Sequence, residues 1–174
     1  MRWLPFQLNP DLPEDGISRE EYVARKFGAR GKGVNERVSM AGRQVGIPFA
    51  YEKMKIQPNT LNAHRLLCYA ERAGKQDELS EELFRAHFME GANLTDRETL
   101  AGIAARAGLD RKAATDYLAG DADRDQIARA DVEARSAGVG GVPFFIFNRK
   151  VSVSGAQDPE TLLDAMEQAL QEQG

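Results

Sequence analysis

The chain has 174 residues, which suits one compact domain or a small domain with a sizeable insertion. Its net charge of -4 argues against a nucleic-acid partner, whereas 42% apolar and 29% charged residues indicate a core with a soluble surface. No apolar run approaches the roughly 18 residues that span a bilayer, and the N-terminus lacks the pattern of a signal peptide, so we expect a cytoplasmic protein with no membrane partner. A single cysteine excludes an internal disulfide and a Cys-based zinc cluster.

The first predicted element is a short strand over residues 2–8 (RWLPFQL). Four of its residues suit a buried, pleated surface: Trp3, Leu4, Phe6 and Leu8. Pro5 counts against a fully paired central position, since it has no N–H for a ladder. The next stretch, NPDLPEDG, has the composition of a turn-rich connector.

A run of helices is predicted from about residue 18 to about residue 118. Ser18 and Glu21 form a capping box for the first helix, and a second helix covers about residues 34–44. Apolar stripes predict the inward faces of three more helices: Ala63, Leu66, Leu67 and Ala70; Leu79, Leu83, Phe84 and Phe88; Leu100, Ile103, Ala104 and Ala107. Thr95 and Glu98 are predicted to cap the last of the three. A short helix over DRKAATDYL and a longer one over about residues 124–137 follow.

In the C-terminal part of the chain, the spacing of apolar residues changes from a helical pattern to one typical of strands. Residues 144–147 (FFIF) read as a buried strand, NRK as a turn and residues 151–153 as the returning strand. Asp158 is predicted to cap a last helix that starts at Pro159. Its inward face is predicted to comprise Leu162, Leu163, Met166 and Leu170. The order strand, helices, hairpin, helix predicts an α/β fold in which a helical block interrupts a small sheet.

Most chemically suggestive residues have an ordinary structural interpretation. Cys68 lies beside two leucines on an amphipathic helix, where a free cysteine is usually a small buried hydrophobe. His64 and His87 are too far apart for a metal pair on one helix, so neither a metal site nor a bound cofactor is expected. DADRDQI (residues 121–127) lacks the glycine and the final glutamate of a calcium loop and reads as a helix start. GARGKG (residues 28–33) lacks phosphate-loop spacing and reads as a loop between helices.

The stretch GVGGVPFFIF, residues 138–147, is the most informative in the chain. A helix that ends in glycine, a loop and a core strand would explain Gly138 and tolerate Gly140 and Gly141. It explains less well a proline directly before a buried strand. Only about 5–6% of X–Pro bonds in folded proteins are cis, so the sequence alone leaves the isomer of the bond before Pro143 open.

This stretch resembles the DsbA-like thioredoxin-fold oxidoreductases, specifically their FrnE-like branch. The resemblance also rests on RWLPFQLNPDLPEDG, on FRAHFMEGANLTDRETL and on the continuation NRKVSVSGAQDPETLLDAMEQAL, and it covers essentially the whole chain. It implies one thioredoxin-like, DsbA-type domain over residues 1–174. Residues 1–10 and 138–174 would belong to the thioredoxin-fold core, and about 18–118 would lie within a large helical insertion.

The resemblance implies that four residues bind substrate: Gly140, Gly141, Val142 and Pro143. Val142 would present its backbone N–H and C=O to an extended peptide, a local form of strand addition. Pro143 would be the family's cis-proline, and the two glycines would let the substrate backbone approach closely. The implied partners are protein or peptide thiols and disulfides.

The family carries a CPxC-type motif between a strand and a helix that precede the strand resembled by residues 2–8. The chain begins at that second strand, so we expect the first strand, the first helix and the catalytic cysteine pair to be missing. Cys68 maps into the insertion and does not replace them. No catalytic residue is therefore expected in this chain, and we expect a shortened version of a complete oxidoreductase that is inactive in disulfide exchange.

Two alternatives stay open. The 2-hydroxychromene-2-carboxylate isomerases and kappa-class glutathione transferases resemble the same layout, use glutathione, and have a serine in place of the first cysteine. A non-catalytic peptide- or partner-binding module is the other alternative, and it predicts a stable oligomer such as a homodimer.

Overall fold

The computed structural model describes residues 1–28 and 31–171, and the chain divides into two compact units, residues 1–127 and 128–174. The described residues form eight α-helices and two small antiparallel sheets. The first unit contains α1 (Arg19–Phe27), α2 (Gly31–Gln44), α3 (Leu61–Arg72), α4 (Gln76–Phe88), α5 (Arg97–Arg106) and α6 (Arg111–Ala119). It also contains the pair β1 (Ile17–Ser18) and β2 (Ile56–Gln57) and a single 3-10 turn over Tyr51–Lys53. The next helix, α7 (Arg124–Ser136), begins in the first unit and ends in the second.

The core of the first unit lies among α3, α4, α5 and α6. Its large side chains include Leu66, Leu79, Leu100, Ile103 and Leu118, all fully buried. The stripe predicted for α5 is confirmed, because its apolar residues are all buried. In the stripe predicted for α3, Ala63, Leu66 and Ala70 are buried, whereas Leu67 is half-buried against the same core. Full burial of one such leucine or isoleucine contributes about 1.5–3 kcal/mol of stabilisation.

The predicted inward face of α4 is only partly correct. Leu79 and Leu83 are buried, but Phe84 is 51% exposed and Phe88 is half-buried. The buried set is completed by Ala86 and His87 instead. The core therefore lies against a face of α4 rotated away from the two phenylalanines.

Short polar side chains cap the first turns of α1 and α5, and one of the two caps differs from the prediction. Ser18 accepts a hydrogen bond from the Glu21 N–H at 3.0 Å, as expected of the cap of α1. For α5 the predicted Thr95 cap is wrong. Asp96 is the N-cap and accepts from the Thr99 N–H at 3.0 Å, because the helix begins one residue later, at Arg97.

The strand predicted over residues 2–8 is absent from the described structure. The main chain at Trp3 is instead bound by the side chain of Gln76, which accepts from the Trp3 N–H and donates to the Trp3 carbonyl, both at 3.0 Å. A side-chain amide thus occupies the position that a neighbouring strand would take. Leu4 and Leu8 are exposed whereas Phe6 is buried, so the apolar residues do not share one face.

Arg65 is a fully buried cation in the first unit. Its guanidinium donates to the carbonyls of Ala122 at 2.7 Å, Tyr117 at 3.1 Å and Gly120 at 2.5 Å, and to Asn62 Oδ1 at 2.8 Å. The planar guanidinium thus supplies hydrogen-bond donors to the main-chain carbonyls at the end of α6 and in the segment after it. Desolvation by burial lowers the pKa of this guanidinium below its ordinary value.

The second unit is built on the predicted hairpin. β3 (Phe144–Phe147) pairs antiparallel with β4 (Val151–Ser154), so that Phe145 faces Val153 and Phe147 faces Val151. Asn148 and Arg149 at the turn both have positive φ, of 50° and 61°, as a type I′ turn requires.

The last helix, α8 (Pro159–Gln171), begins as predicted, but its inward face differs. Asp158 Oδ1 accepts from the Thr161 N–H at 2.8 Å and caps the helix. The buried residues are Ala165 and Ala169, whereas three of the four predicted residues are exposed: Leu163, Met166 and Leu170. Small side chains permit close packing, so the alanine stripe lies against the unit and the larger stripe faces outward.

Within residues 1–28 and 31–171, every helix is too short or too polar to cross a bilayer. The predicted loop over residues 28–33 includes Ala29 and Arg30, which lie outside the described residues, and Gly31 begins α2.

Candidate functional site

The candidate site is the Val-Pro loop, residues 140–143, which lies between α7 and β3. The helix ends at Gly138, whose φ of 90° is easily adopted only by glycine, and the Val139 N–H donates to the Ala134 carbonyl at 3.0 Å. Val139 is buried and fixes the start of the loop. On the other side, the Gly155 N–H donates to the Pro143 carbonyl at 2.9 Å. The loop is therefore held at both ends by the second unit itself.

The middle of the loop is open. Val142 is 52% exposed, and the Val142–Pro143 peptide bond is cis. Among the described residues, the backbone N–H and C=O groups of Gly140, Gly141 and Val142 have no hydrogen-bond partner. A Cβ added to either glycine would have no heavy atom within 4 Å. The structure thus places the four predicted site residues in one solvent-facing loop with free main-chain donors and acceptors.

The hairpin next to the loop has two different faces. Phe145 and Phe147 stack with centroids 6.3 Å apart and planes 2° apart, on the same face as Val151 and Val153. Ile146 points to the opposite face and is exposed. Within the described part of the chain, β3 pairs only with β4, so its second edge is open for addition of another strand.

Cys68 lies in the first unit, on α3, and is buried with 7% of its surface exposed. Burial raises the pKa of its thiol, and the carboxylates of Asp123 and Glu71 raise it further. A thiol in this environment stays protonated at neutral pH, whereas nucleophilic cysteines have a depressed pKa. The predicted interpretation of Cys68 as a core residue is confirmed.

The histidines are separate. His87 is buried on α4, where desolvation lowers the pKa of its imidazole, and its Nδ1 lies 3.3 Å from the Ala92 carbonyl. His64 lies on α3. Over the residues that the structure describes, His, Cys, Asp and Glu side chains form no group of three suited to a metal ion.

The acidic stretch over residues 121–127 is a helix start, as predicted, since α7 begins at Arg124. Asp121 Oδ1 lies 3.2 Å from Arg124 Nε. Asp123 binds both Arg72 and Tyr117, and it adopts a positive φ of 62°. Asp121 and Asp123 therefore bind neighbouring side chains of the same unit.

One feature of the surface was not expected from the sequence. Five partly exposed rings form a continuous series that we call the aromatic row: Trp3, Phe84, Phe88, Phe49 and Tyr51. The successive centroid distances are 6.2, 6.2, 5.9 and 5.4 Å. The sequence signal available for it is the spacing of Phe84 and Phe88 with Asp77 and Glu81, at which all four residues share one side of α4. Helical periodicity alone does not distinguish such a side from a core face.

Comparisons with known proteins agree with this fold. A family model described as the DSBA-like thioredoxin domain matches residues 1–167. A probable DsbA oxidoreductase from Streptomyces coelicolor is similar in structure, with a TM-score of 0.88 and 27% sequence identity over 97% of this chain and 74% of that one. A candidate protein disulfide isomerase from Nitrosomonas europaea shares the fold, with a TM-score of 0.68, 14% identity and 89% of each chain covered. Among curated proteins, none matches the chain.

Proposed function

The chain belongs to the DSBA-like thioredoxin domain family, and from that membership we propose that it contributes the peptide-binding half of a thiol–disulfide oxidoreductase site. Proteins of this family act on thiol and disulfide substrates. The observation that carries the proposal is the Val-Pro loop, whose exposed main chain has donors and acceptors without partners in the described structure. The FrnE-like branch is the part of the family to which we assign the chain.

Each loop residue has a role in this proposal. The Val142 N–H donates to a carbonyl of an extended substrate, and the Val142 C=O accepts from the substrate's N–H, as in the addition of a strand. Gly140 and Gly141 leave room for the substrate backbone because no atom lies within 4 Å of the position of a Cβ. The Pro143 carbonyl is already bound by Gly155, so Val142 is the residue nearest to β3 whose main chain is free to bind a substrate.

The chemistry of such a site is thiol–disulfide exchange. A thiolate attacks one sulfur of a disulfide, a new S–S bond forms, and the second sulfur leaves as a thiolate. The 174 residues contain one cysteine, Cys68, and its buried, protonated thiol does not suit the attacking role. We therefore propose that this polypeptide binds substrate peptides and is inactive in disulfide exchange without a cysteine pair from outside these residues.

The finer assignments belong to the same proposal. Residues 1–10 and 138–174 supply thioredoxin-fold core, and about 18–118 lie within the helical insertion. We assign the protein to the cytoplasm, with unfolded or extended protein segments as its partners.

The proposal is tested by nuclear magnetic resonance of the 15N-labelled chain, titrated with a short extended peptide that carries one S-methylated cysteine. The expected result is saturable movement of the amide signals of Gly140, Gly141 and Val142, with no movement at Cys68. The absence of such movement would overturn the proposed site. Movement of the same signals by glutathione at similar concentration would instead favour the glutathione-dependent isomerases and transferases.

A second measurement addresses the redox part. Reduction of insulin by dithiothreitol is expected to proceed at the same rate with the wild-type chain, with Cys68→Ser and without protein. A rate increase that depends on Cys68 would contradict the assignment of Cys68 as an inert core residue.

A further inference from the structure

We propose that the aromatic row binds an extended polypeptide segment that carries both apolar and positively charged side chains. The row lies in the first unit and contains no residue of the Val-Pro loop. This inference therefore goes beyond the proposed function and needs no cysteine.

The row is a surface feature because none of its rings is fully buried. Phe84 is 51% exposed, and the other four are half-buried. Leu4 and Leu8, which follow Trp3 along the chain, are also exposed. Contiguous apolar surface left in contact with water is uncommon on a monomer and marks an interaction site.

The spacing of the rings matches an extended chain. Successive centroids in the row are 5.4–6.2 Å apart. In an extended peptide, residues i and i+2 point to the same side and are about 6.6 Å apart. Alternate side chains of one bound segment can therefore contact successive rings, whereas alternate helical side chains point in different directions.

Two carboxylates lie beside the row. Asp77 and Glu81 share one side of α4 with Phe84 and Phe88, and Asp77 accepts a hydrogen bond from Trp3 Nε1 at 2.7 Å. Within the described part of the chain, Glu81 forms no salt bridge. The indole is thus oriented by a carboxylate, and the carboxylates attract a cation toward ring faces that themselves favour cations.

The groove at the other end of the row also has more acidic than basic lining residues. A groove of about 420 Å³ adjoins Phe49 and Tyr51. Its charged lining residues are Glu36, Glu52 and Arg43, two acids and one base. A segment with lysine or arginine between apolar residues complements both ends of the row, whereas an acidic segment would be repelled.

Trp3 makes the proposal directly measurable because it is the only tryptophan in the chain. The probes are three octapeptides without aromatic residues, in which leucine alternates with lysine, leucine with glutamate, or serine with lysine. Trp3 emission is followed at low and high salt, with calorimetry as an independent measurement of affinity. We expect saturable binding of the leucine–lysine peptide, and at least about tenfold weaker binding of the other two.

Two variants locate the binding. Phe84→Ala removes the most exposed ring, and Glu81→Lys reverses a charge that forms no salt bridge in the described structure. Each variant is expected to lower the affinity for the leucine–lysine peptide by about tenfold. Glu81→Lys is also expected to reduce the dependence of that affinity on salt concentration. The controls are Leu163→Ala, which removes another exposed apolar side chain, and Glu167→Lys, which makes the same charge reversal; both lie on α8 in the second unit and are expected to bind as wild type.

Three outcomes would overturn the proposal: no saturable binding of the leucine–lysine peptide, equal binding of the leucine–glutamate or serine–lysine peptide, or wild-type affinity in Phe84→Ala. Because Phe84 and Glu81 are exposed, both variants are expected to fold. Circular dichroism and the midpoint of thermal unfolding check this for each protein.

Discussion

Arg72 Nη2 lies 2.8 Å from Oδ2 of Asp123, a non-glycine residue whose φ of 62° falls in the left-handed region. The same carboxylate accepts a hydrogen bond from the Tyr117 hydroxyl at 2.5 Å. Asp123 therefore connects α3 to the end of α6 and the segment before α7. Asparagine and aspartate tolerate this backbone region better than most residues, so the charge of Asp123 can be removed without changing its preferred conformation.

The first prediction concerns the charge of Asp123. Asp123→Asn is expected to lower the free energy of unfolding at pH 7 by about 1–3 kcal/mol, because the carboxylate that accepts from Arg72 and Tyr117 loses its charge and its hydrogen bonds weaken. The Arg72 hydrogen bond holds the pKa of this carboxyl below its ordinary value of 3.8. The stabilisation is thus present above pH 3.8 and is lost as pH falls through the folded-state pKa. Chemical denaturation at several pH values should show the wild type and the variant converging in acid, and a constant difference would contradict the assignment.

The second prediction concerns alkaline pH. Burial raises the pKa of Tyr117 from 10.0 to about 12. The neutral phenol is favoured in the folded state, so its contribution to stability is present below pH 10 and decreases as pH rises toward 12. Tyr117→Phe, which cannot ionise, should show a smaller loss of stability over that interval. Equal pH profiles for the two proteins would be inconsistent with a buried phenol.

The third prediction concerns Arg65. Arg65→Met leaves the carbonyls of Tyr117, Gly120 and Ala122 without their donor, and is expected to cost about 3 kcal/mol or more. Arg65→Lys is expected to recover only part of the loss, since one ammonium cannot reproduce the planar fork. Arg111→Met, at an exposed arginine, is the control and should change stability by less than about 0.5 kcal/mol. Thermal unfolding compares the three variants.

The fourth prediction separates stability from binding at the Val-Pro loop. Gly141→Ala is expected to keep or raise the free energy of unfolding, by up to about 1 kcal/mol, because the added methyl group meets no atom within 4 Å. The same methyl group occupies the space that we assign to the substrate backbone, so peptide affinity is expected to fall. Amide titration and denaturation are measured on the same sample. Unchanged affinity would exclude close approach of a peptide at residue 141.

The fifth prediction concerns α8. Met166→Gln is expected to change stability by less than about 0.5 kcal/mol because Met166 is exposed. Ala169→Leu should destabilise by about 1–3 kcal/mol because Ala169 is buried and the larger side chain overpacks its site. A larger loss of stability for Met166→Gln than for Ala169→Leu would instead support the inward face that the sequence predicted.

The sequence predicted the helices, the hairpin and the Val-Pro loop well, because these depend on local signals. Ser18, Asp158 and Pro159 are found at helix starts, and the positive φ values at Asn148 and Arg149 complete the turn. The predicted family and the thioredoxin-type α/β fold class are confirmed. The four predicted site residues are contiguous in sequence, which is why sequence alone could bring them together.

The errors share a physical cause. Apolar periodicity identifies a helix, but it does not determine which of two adjacent apolar stripes is buried. On α8 the alanine stripe packs and Met166 faces outward, and on α4 Leu79 packs while Phe84 faces outward. The segment around Trp3 depends on two hydrogen bonds between its main chain and the side chain of Gln76, 73 residues later, which no local pattern reveals.

The hydrogen bonds of Arg65 have a consequence for how this chain can diverge. Three of its four acceptors are main-chain carbonyls, so the contact requires a particular path of residues 117–122 and not particular side chains. Gly120 and Ala122 can therefore be replaced by other residues that follow the same path, while Arg65 itself cannot. Tolerance to substitution should therefore be high at Gly120 and Ala122, which contribute only main-chain carbonyls, and low at Arg65, whose side chain donates to them.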